Sequence, residues 1–149
     1  ETYNYYSRLA TRQGYITTIL GRRRRFDLWE SRDWSDKSPP MRYESAVAKW
    51  GDYGIRRAGT HKALNGELQG SAADTMKRAM VMIWESGVCD VLGAPLLTVH
   101  DELDWSTQRH NRQHQEALAE VKHIMETCIE LKVPLMADMQ QGDNWGDAS

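Results

Sequence analysis

Hydrophobic and polar positions along this chain change period several times, and each change marks an element. Near the start, Tyr5, Tyr6, Leu9 and Ala10 recur at helical spacing until Gly14, which predicts a short helix over residues 3–13. Residues 15–20 are rich in β-branched side chains. Gly21 and the arginines after it supply a turn, and the chain returns through Arg24, Arg25 and Phe26, so a small hairpin with a basic tip is expected. The pattern then dissolves over residues 27–59, where charges are mixed, Trp29, Trp34 and Trp50 are scattered, and Ser38-Pro39-Pro40 interrupts any helix or central strand. This segment reads as an inserted, partly helical excursion. Its tryptophans argue against complete disorder, because disordered segments are poor in aromatics.

The strongest helical signal follows. Thr60 stands where it can cap a helix beginning at His61, and Leu64, Leu68, Ala72, Met76, Ala79, Met80 and Ile83 sustain an apolar face until Gly87. Residues 95–99 and 103–105 predict two short strands flanking His100-Asp101-Glu102, a hairpin with acids at its turn. A second long helix is expected over residues 107–131, with Leu118, Val121, Ile124, Met125 and Ile129 on one face. A last apolar strand is expected over residues 133–139. Together these elements describe an α+β fold with antiparallel strands and long packing helices, plus the small basic hairpin. There are no internal repeats.

Composition narrows the class. A chain of 149 residues with 40% hydrophobic content can bury one core, so it forms one domain or a large piece of a bigger one. Cys89 and Cys128 stand far apart with no CxxC partner, which suggests neither a disulfide scaffold nor a zinc ribbon and fits a reducing, cytosolic setting. No apolar run approaches a membrane span. The opening Glu1-Thr2-Tyr3-Asn4 has neither an initiator Met nor the order of a signal peptide, so a fragment or processed product is expected. The net charge of −2 argues against a dedicated nucleic-acid binder. Its distribution argues the other way: Arg22, Arg23, Arg24 and Arg25 are consecutive, and Arg56, Arg57 and Lys62 follow.

Asp101 and Glu102 are the leading candidates for chemistry. Adjacent carboxylates repel unless a cation offsets them, and Mg²⁺ prefers oxygen ligands, taking one or two carboxylates from protein and the rest from water and phosphate. An ordinary solvated turn is the competing reading of the same dipeptide. His110 and His114 have the helical spacing of a zinc pair, but Asn111-Arg112-Gln113 between them lacks the glutamate of a metalloprotease. The methionines mostly follow the apolar stripes and read as core filler.

Three motifs, in order, add a family to this picture. Gly14-Tyr15-Ile16-Thr17-Thr18-Ile19-Leu20-Gly21-Arg22-Arg23 resembles the Gly-Tyr-x-x-Thr-x-x-Gly-Arg-Arg hairpin of family A DNA polymerases. Gln69-Gly70-Ser71-Ala72-Ala73-Asp74 resembles that family's Gln-Gly-(Ser/Thr)-Ala-Ala-Asp helix segment. Val99-His100-Asp101-Glu102 is similar to its third palm motif. Val133-Pro134-Leu135 and Gly142-Asp143-Asn144-Trp145 are similar to the closing strand and tail of bacterial and phage members. His61-Lys62-Ala63-Leu64-Asn65 is closer to phage relatives, because many bacterial members have arginine at the position of His61.

The resemblance covers residues 1–26 and 60–149. It implies the end of the fingers in the first of these, a carboxyl-terminal palm segment in the second, and an insertion of unknown role over 27–59. By the same resemblance Asp101 would be a ligand of catalytic Mg²⁺, with Glu102 a neighbouring carboxylate, in two-metal nucleotidyl transfer from deoxynucleoside triphosphates onto primer–template DNA. His100 would touch the primer terminus. Asn65 and Gln69, four apart on one helix face, would hydrogen-bond the minor groove, with His61 one turn further back. Arg22 and Arg23 would meet backbone phosphates. The setting would be cytoplasmic, in a host bacterium for a phage protein.

Two family features do not occur. The earlier palm aspartate in an Asp-Tyr-Ser-like motif has no counterpart, since Asp52-Tyr53-Gly54 lies in the insertion on the wrong side of the basic hairpin. A nucleotide-binding helix with spaced Arg, Lys and aromatic residues is also missing. An amino-terminal segment or subunit is therefore expected to complete the site, and the chain alone is expected to be inactive. Two other classes remain open: a metal-dependent nuclease or phosphohydrolase using the same acids, and a non-catalytic DNA-binding module.

Overall fold

A computed structural model describes residues 1–148; Ser149, the last position of the expected carboxyl-terminal segment, lies outside the described residues. The chain divides into two compact units, Glu1–Asp74 and Thr75–Ser149. The division falls inside the longest helix.

In the first unit, α1 (Thr2–Gln13) ends at Gly14, whose φ of 81° is the left-handed conformation that lets its N–H reach back to the Ala10 carbonyl at 2.9 Å. Strands β1 (Tyr15–Thr17) and β2 (Arg23–Arg25) then pair antiparallel, with Ile16 opposite Arg24. Alternation along β1 sends Ile16 inward, where it joins Ala10, Phe26 and Ala63 in a small core against which Tyr6 packs. The expected hairpin is present.

The excursion is more ordered than its scrambled pattern suggests. Strand β3 (Trp29–Ser31) pairs antiparallel with β4 (Ile55–Arg57), and α2 (Tyr43–Trp50) lies between them in sequence. Glu30 and Arg56 face each other in the register and form an ion pair at 2.9 Å. Arg57 fastens the excursion to the hairpin: its Nη1 donates to the Phe26 carbonyl at 2.9 Å, while its guanidinium stacks over Trp29. A Cβ at Gly14 would meet that guanidinium at 2.9 Å, a second reason for glycine there.

The long helix α3 (Ala63–Glu85) is entered through a 3-10 turn at Thr60–Lys62. Thr60 does not cap it, contrary to expectation. The residue before the turn is Gly59, in the left-handed conformation, and no side-chain cap bond forms. Entry through a tighter turn and a glycine replaces the hydroxyl cap.

In the second unit, a short helix α4 (Val88–Leu92) follows Gly87, where the sequence pattern predicts only a helix end. It packs with α5 (Arg112–Thr127) around Ile83, Val88, Leu92, Ala117, Val121 and Ile124. Helix α5 begins five residues later than expected, because Asn111 accepts from the N–H groups of Gln113 and His114 and so fixes the first turn. Strands β5 (Leu97–Val99) and β6 (Glu102–Asp104) form the third two-stranded antiparallel pair, and Leu103 and Trp105 pack against the helical core.

Residues 133–139, expected to be a strand, are not one. Pro134 removes a ladder donor, the Ala137 N–H is taken by Glu126 Oε1 at 3.1 Å, and Val133 and Met136 stay 68% and 75% exposed. Apolar alternation makes a strand only where another strand satisfies its backbone, and among the described residues none lies alongside. None of the described helices is long and apolar enough to cross a membrane.

Candidate nucleic-acid interface and acidic turn

The basic hairpin reaches helix α3 through two glycines. Gly66 and Gly70 are one turn apart on the helix, and a Cβ on either would collide with the hairpin: Gly70 with Thr18 Cγ2 at 2.6 Å, Gly66 with Arg24 Nη1 at 2.7 Å. Glycine inside a helix costs about 1 kcal/mol relative to alanine, so its use twice at this spacing marks a close approach. Hairpin side chains lie against bare helix backbone there.

Polar groups hold the approach. Thr18 donates its hydroxyl to Asp74 Oδ2, and the same oxygen of Thr18 accepts the Arg22 N–H at 3.1 Å. Arg22 donates through Nε to Asp74 Oδ1 at 2.8 Å and through Nη2 to the Gly70 carbonyl at 3.0 Å. The Ile19 N–H donates to Ser71 Oγ at 3.0 Å. The Asp74 side chain is 7% exposed, and the cation and the hydroxyl that meet it offset the cost of burying its charge. The Arg22 side chain remains 53% exposed and faces outward along the rest of its surface.

Outside this clamp lies an open groove of about 410 Å³, lined by Arg22, Arg23, Arg24, Gly66, Gln69 and Gly70. The structure thus brings together three sequence candidates, Arg22, Arg23 and Gln69, and adds Arg24. Arg23 is braced by stacking over the Tyr15 ring, 4.6 Å from its centroid. Asn65 is exposed one helical turn before Gln69. His61 is exposed too, but in the 3-10 turn ahead of the helix. A groove with cationic walls and an amide on its rim can bind a phosphodiester strand and hydrogen-bond its bases.

The acidic turn is built differently. Val99 pairs with Glu102, leaving His100 and Asp101 as a two-residue hairpin loop. His100 has φ 55°, and it alone among the described non-glycine residues is positive. A positive φ at the first of two central residues is the sign pattern of a type II′ turn, whose usual occupant there is glycine. Left-handed backbone costs a residue with a side chain about 1–2 kcal/mol, so the fold bears strain to keep an imidazole beside the acids.

Asp101 and Glu102 are both exposed. Asp104, on the same side of β6 as Glu102, has one buried carboxylate oxygen with no hydrogen-bond partner, while its carbonyl accepts from the Leu96 N–H. Two exposed, acceptor-only carboxylates fit a hard cation that keeps water and phosphate in its remaining positions. Among the described residues no three His, Cys, Asp or Glu side chains converge into a complete metal cage. His114, half of the histidine pair, accepts the Gln108 N–H through Nδ1 at 3.1 Å and serves the turn before α5.

Sequence reasoning missed Thr18, Gly66 and the pairing role of Asp74. The i,i+4 glycines were the available signal for the first two; a buried charge pair across 52 residues leaves none.

Comparison with known proteins identifies the family of the chain as a whole. A profile described as DNA polymerase family A matches residues 3–147. A DNA-directed DNA polymerase of Pseudomonas phage M6 is 37% identical over 133 residues, covering 89% of this chain and 15% of that protein. DNA polymerase I of Bacillus subtilis is 32% identical over 140 residues, covering 93% of this chain and 14% of that protein. The POL domain of Pol1 from M. smegmatis, solved in complex with DNA primer–template and dNTP, superposes with a TM-score of 0.68 at 27% identity, over 98% of this chain and 22% of that one. The chain therefore spans about a seventh of the length of the phage and Bacillus subtilis polymerases, and over nearly all of its own length it belongs to DNA polymerase family A.

Proposed function

We propose that this chain supplies the carboxyl-terminal part of a DNA-directed DNA polymerase, with template-directed nucleotidyl transfer as its reaction. The acidic turn carries this reading. Asp101 and Glu102 stand exposed on a two-residue loop behind a strained His100, an arrangement that serves ion binding better than stability.

Asp101 and Glu102 would hold Mg²⁺, which when bound neutralises charge on the attacking and leaving oxygens in a two-metal mechanism. The chain's own side chains position the substrate. Arg22 and Arg23 contact backbone phosphates from the groove, a salt-sensitive contribution without sequence information. Asn65 and Gln69 donate to minor-groove acceptors present at every base pair, which checks pair geometry without reading the base. His61 extends that face toward the duplex. His100 lies beside the primer terminus.

An amino-terminal segment supplies the second palm aspartate and the triphosphate grip. Large apolar side chains left exposed in the second unit support this need: Leu96 and Leu97 beside the acidic hairpin, and Val133, Met136 and Met139 in the tail. Residues 1–26 act as the end of the fingers and 60–149 as a palm segment. The enzyme would work in the cytoplasm, where primer–template and deoxynucleotides are found.

Reconstitution tests the reading. The chain is mixed with the amino-terminal part of its polymerase, and primer extension is measured for the native sequence and for Asp101→Ala. Extension by the native mixture that disappears in the variant is the expected result. Undiminished extension by Asp101→Ala would remove the metal role assigned to the turn.

A further inference from the structure

We infer that Asp74 is a positioning residue for DNA binding: by holding Thr18 and Arg22 it sets the basic hairpin at a fixed height above the helix face that carries Gln69. This rests on the polymerase reading and deepens it. Asp74 lies too deep to meet a ligand itself, with 7% of its side chain exposed, and its two oxygens are spent on different parts of the hairpin. Oδ2 receives the Thr18 hydroxyl from the outgoing side, and Oδ1 receives Arg22 Nε from the returning side. A single carboxylate thus ties both ends of the loop.

The tie also aims Arg22. With Nε on Asp74 and Nη2 on the Gly70 carbonyl, the guanidinium plane is fixed by two bonds to groups on one helix. A guanidinium held by two partners loses little further freedom on meeting a phosphate, which is the advantage of pre-organisation. The arginines of the groove and the amide of Gln69 approach the same opening from different elements. Their spacing depends on the tie between those elements, and Asp74 is the one carboxylate among the bonds described above.

The test uses the 149-residue chain reconstituted with the amino-terminal part of its polymerase, and a primer–template duplex. Asp74→Asn removes the charge and keeps the shape. Thr18→Val removes one tie and serves as the milder variant if Asp74→Asn does not fold. Amide hydrogen exchange at Ile19 and Arg22 reports the clamp, and duplex affinity across a salt series reports its consequence. Asp74→Asn is expected to exchange faster at both amides, to bind about tenfold more weakly, and to lose about one unit of salt slope as Arg22 falls out of alignment. Adding Arg22→Gln to Asp74→Asn is expected to cost nothing more, because both act through one contact.

Unchanged exchange would show that Asp74 does not hold the hairpin. Faster exchange with equal or tighter binding would make Asp74 a folding brace or a competing charge, and either overturns the inference alone. A native reconstituted enzyme that binds no duplex at all overturns the polymerase reading as well, and the affinity of that native mixture is what tells these failures apart.

Discussion

Arg22 Nε and Asp74 Oδ1 stand 2.8 Å apart across the seam between the basic hairpin and helix α3, the carboxylate buried and the guanidinium half open to solvent. The asymmetry defines what each contributes. The buried partner fixes geometry, and the exposed one keeps a cationic surface for a ligand. Seam and groove are only possible because Gly66 and Gly70 let the hairpin descend onto the helix.

Those two glycines should respond oppositely to alanine. At Gly70 the new Cβ meets Thr18 Cγ2 at 2.6 Å, a short branched side chain already fixed by Asp74, so the hairpin must shift. Gly70→Ala is expected to destabilise by about 1–3 kcal/mol despite better helix propensity. At Gly66 the obstacle is the flexible end of Arg24, which can swing away. Gly66→Ala is expected to stabilise by up to about 1 kcal/mol while weakening duplex binding, since Arg24 leaves the groove. Thermal denaturation and duplex titration of both variants check the pair, and matching signs in stability would refute the packing account.

His100 offers a separation of folding from activity. Glycine at this position relieves the cost of φ 55° but loosens the unfolded chain, and these two effects nearly cancel. His100→Gly should therefore stay within about 1 kcal/mol of the native stability. Its primer extension in the reconstituted enzyme should fall by about tenfold, the loss of one charge-assisted or neutral contact at the primer end. A variant that unfolds, or one that extends normally, would each contradict the role given to the imidazole.

What could be read from the sequence, and what could not, follows from range. Helix α1, the hairpin at Arg22–Arg25, α3 and the acidic turn are legible because their signals are local: periodicity, β-branching and glycine at turns. The acids and the Gln69 face are candidates because their motifs are likewise contiguous. Thr60 and the start of α5 were misjudged because a cap depends on which residue enters the first turn, and several polar residues compete there. Residues 133–139 were misjudged for a deeper reason, since a strand is a property of two chains of residues and its partner is not written in its own pattern. The Asp74 clamp is the same kind of failure, a contact between positions 52 and 56 residues apart.

Residues 27–59 carry an acid-sensitive joint of their own. Hydrogen bonding from Ser38, through its hydroxyl and its backbone N–H, and from the Trp50 indole holds the Asp36 carboxyl down to about 2, against an ordinary value of 3.8. Trp50 Nε1 lies 2.6 Å from Asp36 Oδ2, so this joint ties the turn before Pro39 to the end of α2. Because the folded value is depressed, the contribution is complete above the unfolded value near 4 and is lost as pH falls toward about 2. The carboxyl resonance of Asp36 should titrate with a midpoint near 2, and Trp50→Phe should raise that midpoint. An ordinary midpoint in the native chain would mean that the joint is not formed in solution.

Asp101 and Glu102 should separate from each other in activity though not in stability. Both are exposed, so Asp101→Asn and Glu102→Gln are each expected to change stability by no more than about 0.5 kcal/mol. Asp101 occupies the loop itself, whereas Glu102 is already in β6 and paired opposite Val99, which restricts where its carboxylate can turn. Loss of Asp101 should reduce reconstituted extension by at least about a hundredfold, on the scale of removing a group that stabilises charge in the transition state. Loss of Glu102 should cost about tenfold and should be partly recovered at higher Mg²⁺, as expected of a neighbouring carboxylate that raises affinity for the ion without being indispensable to it. Extension measured over a Mg²⁺ series for the native chain and the two variants decides this. Equal losses, or a Glu102→Gln defect that added Mg²⁺ leaves untouched, would place both acids in the same direct role and remove the distinction drawn from their positions on the hairpin.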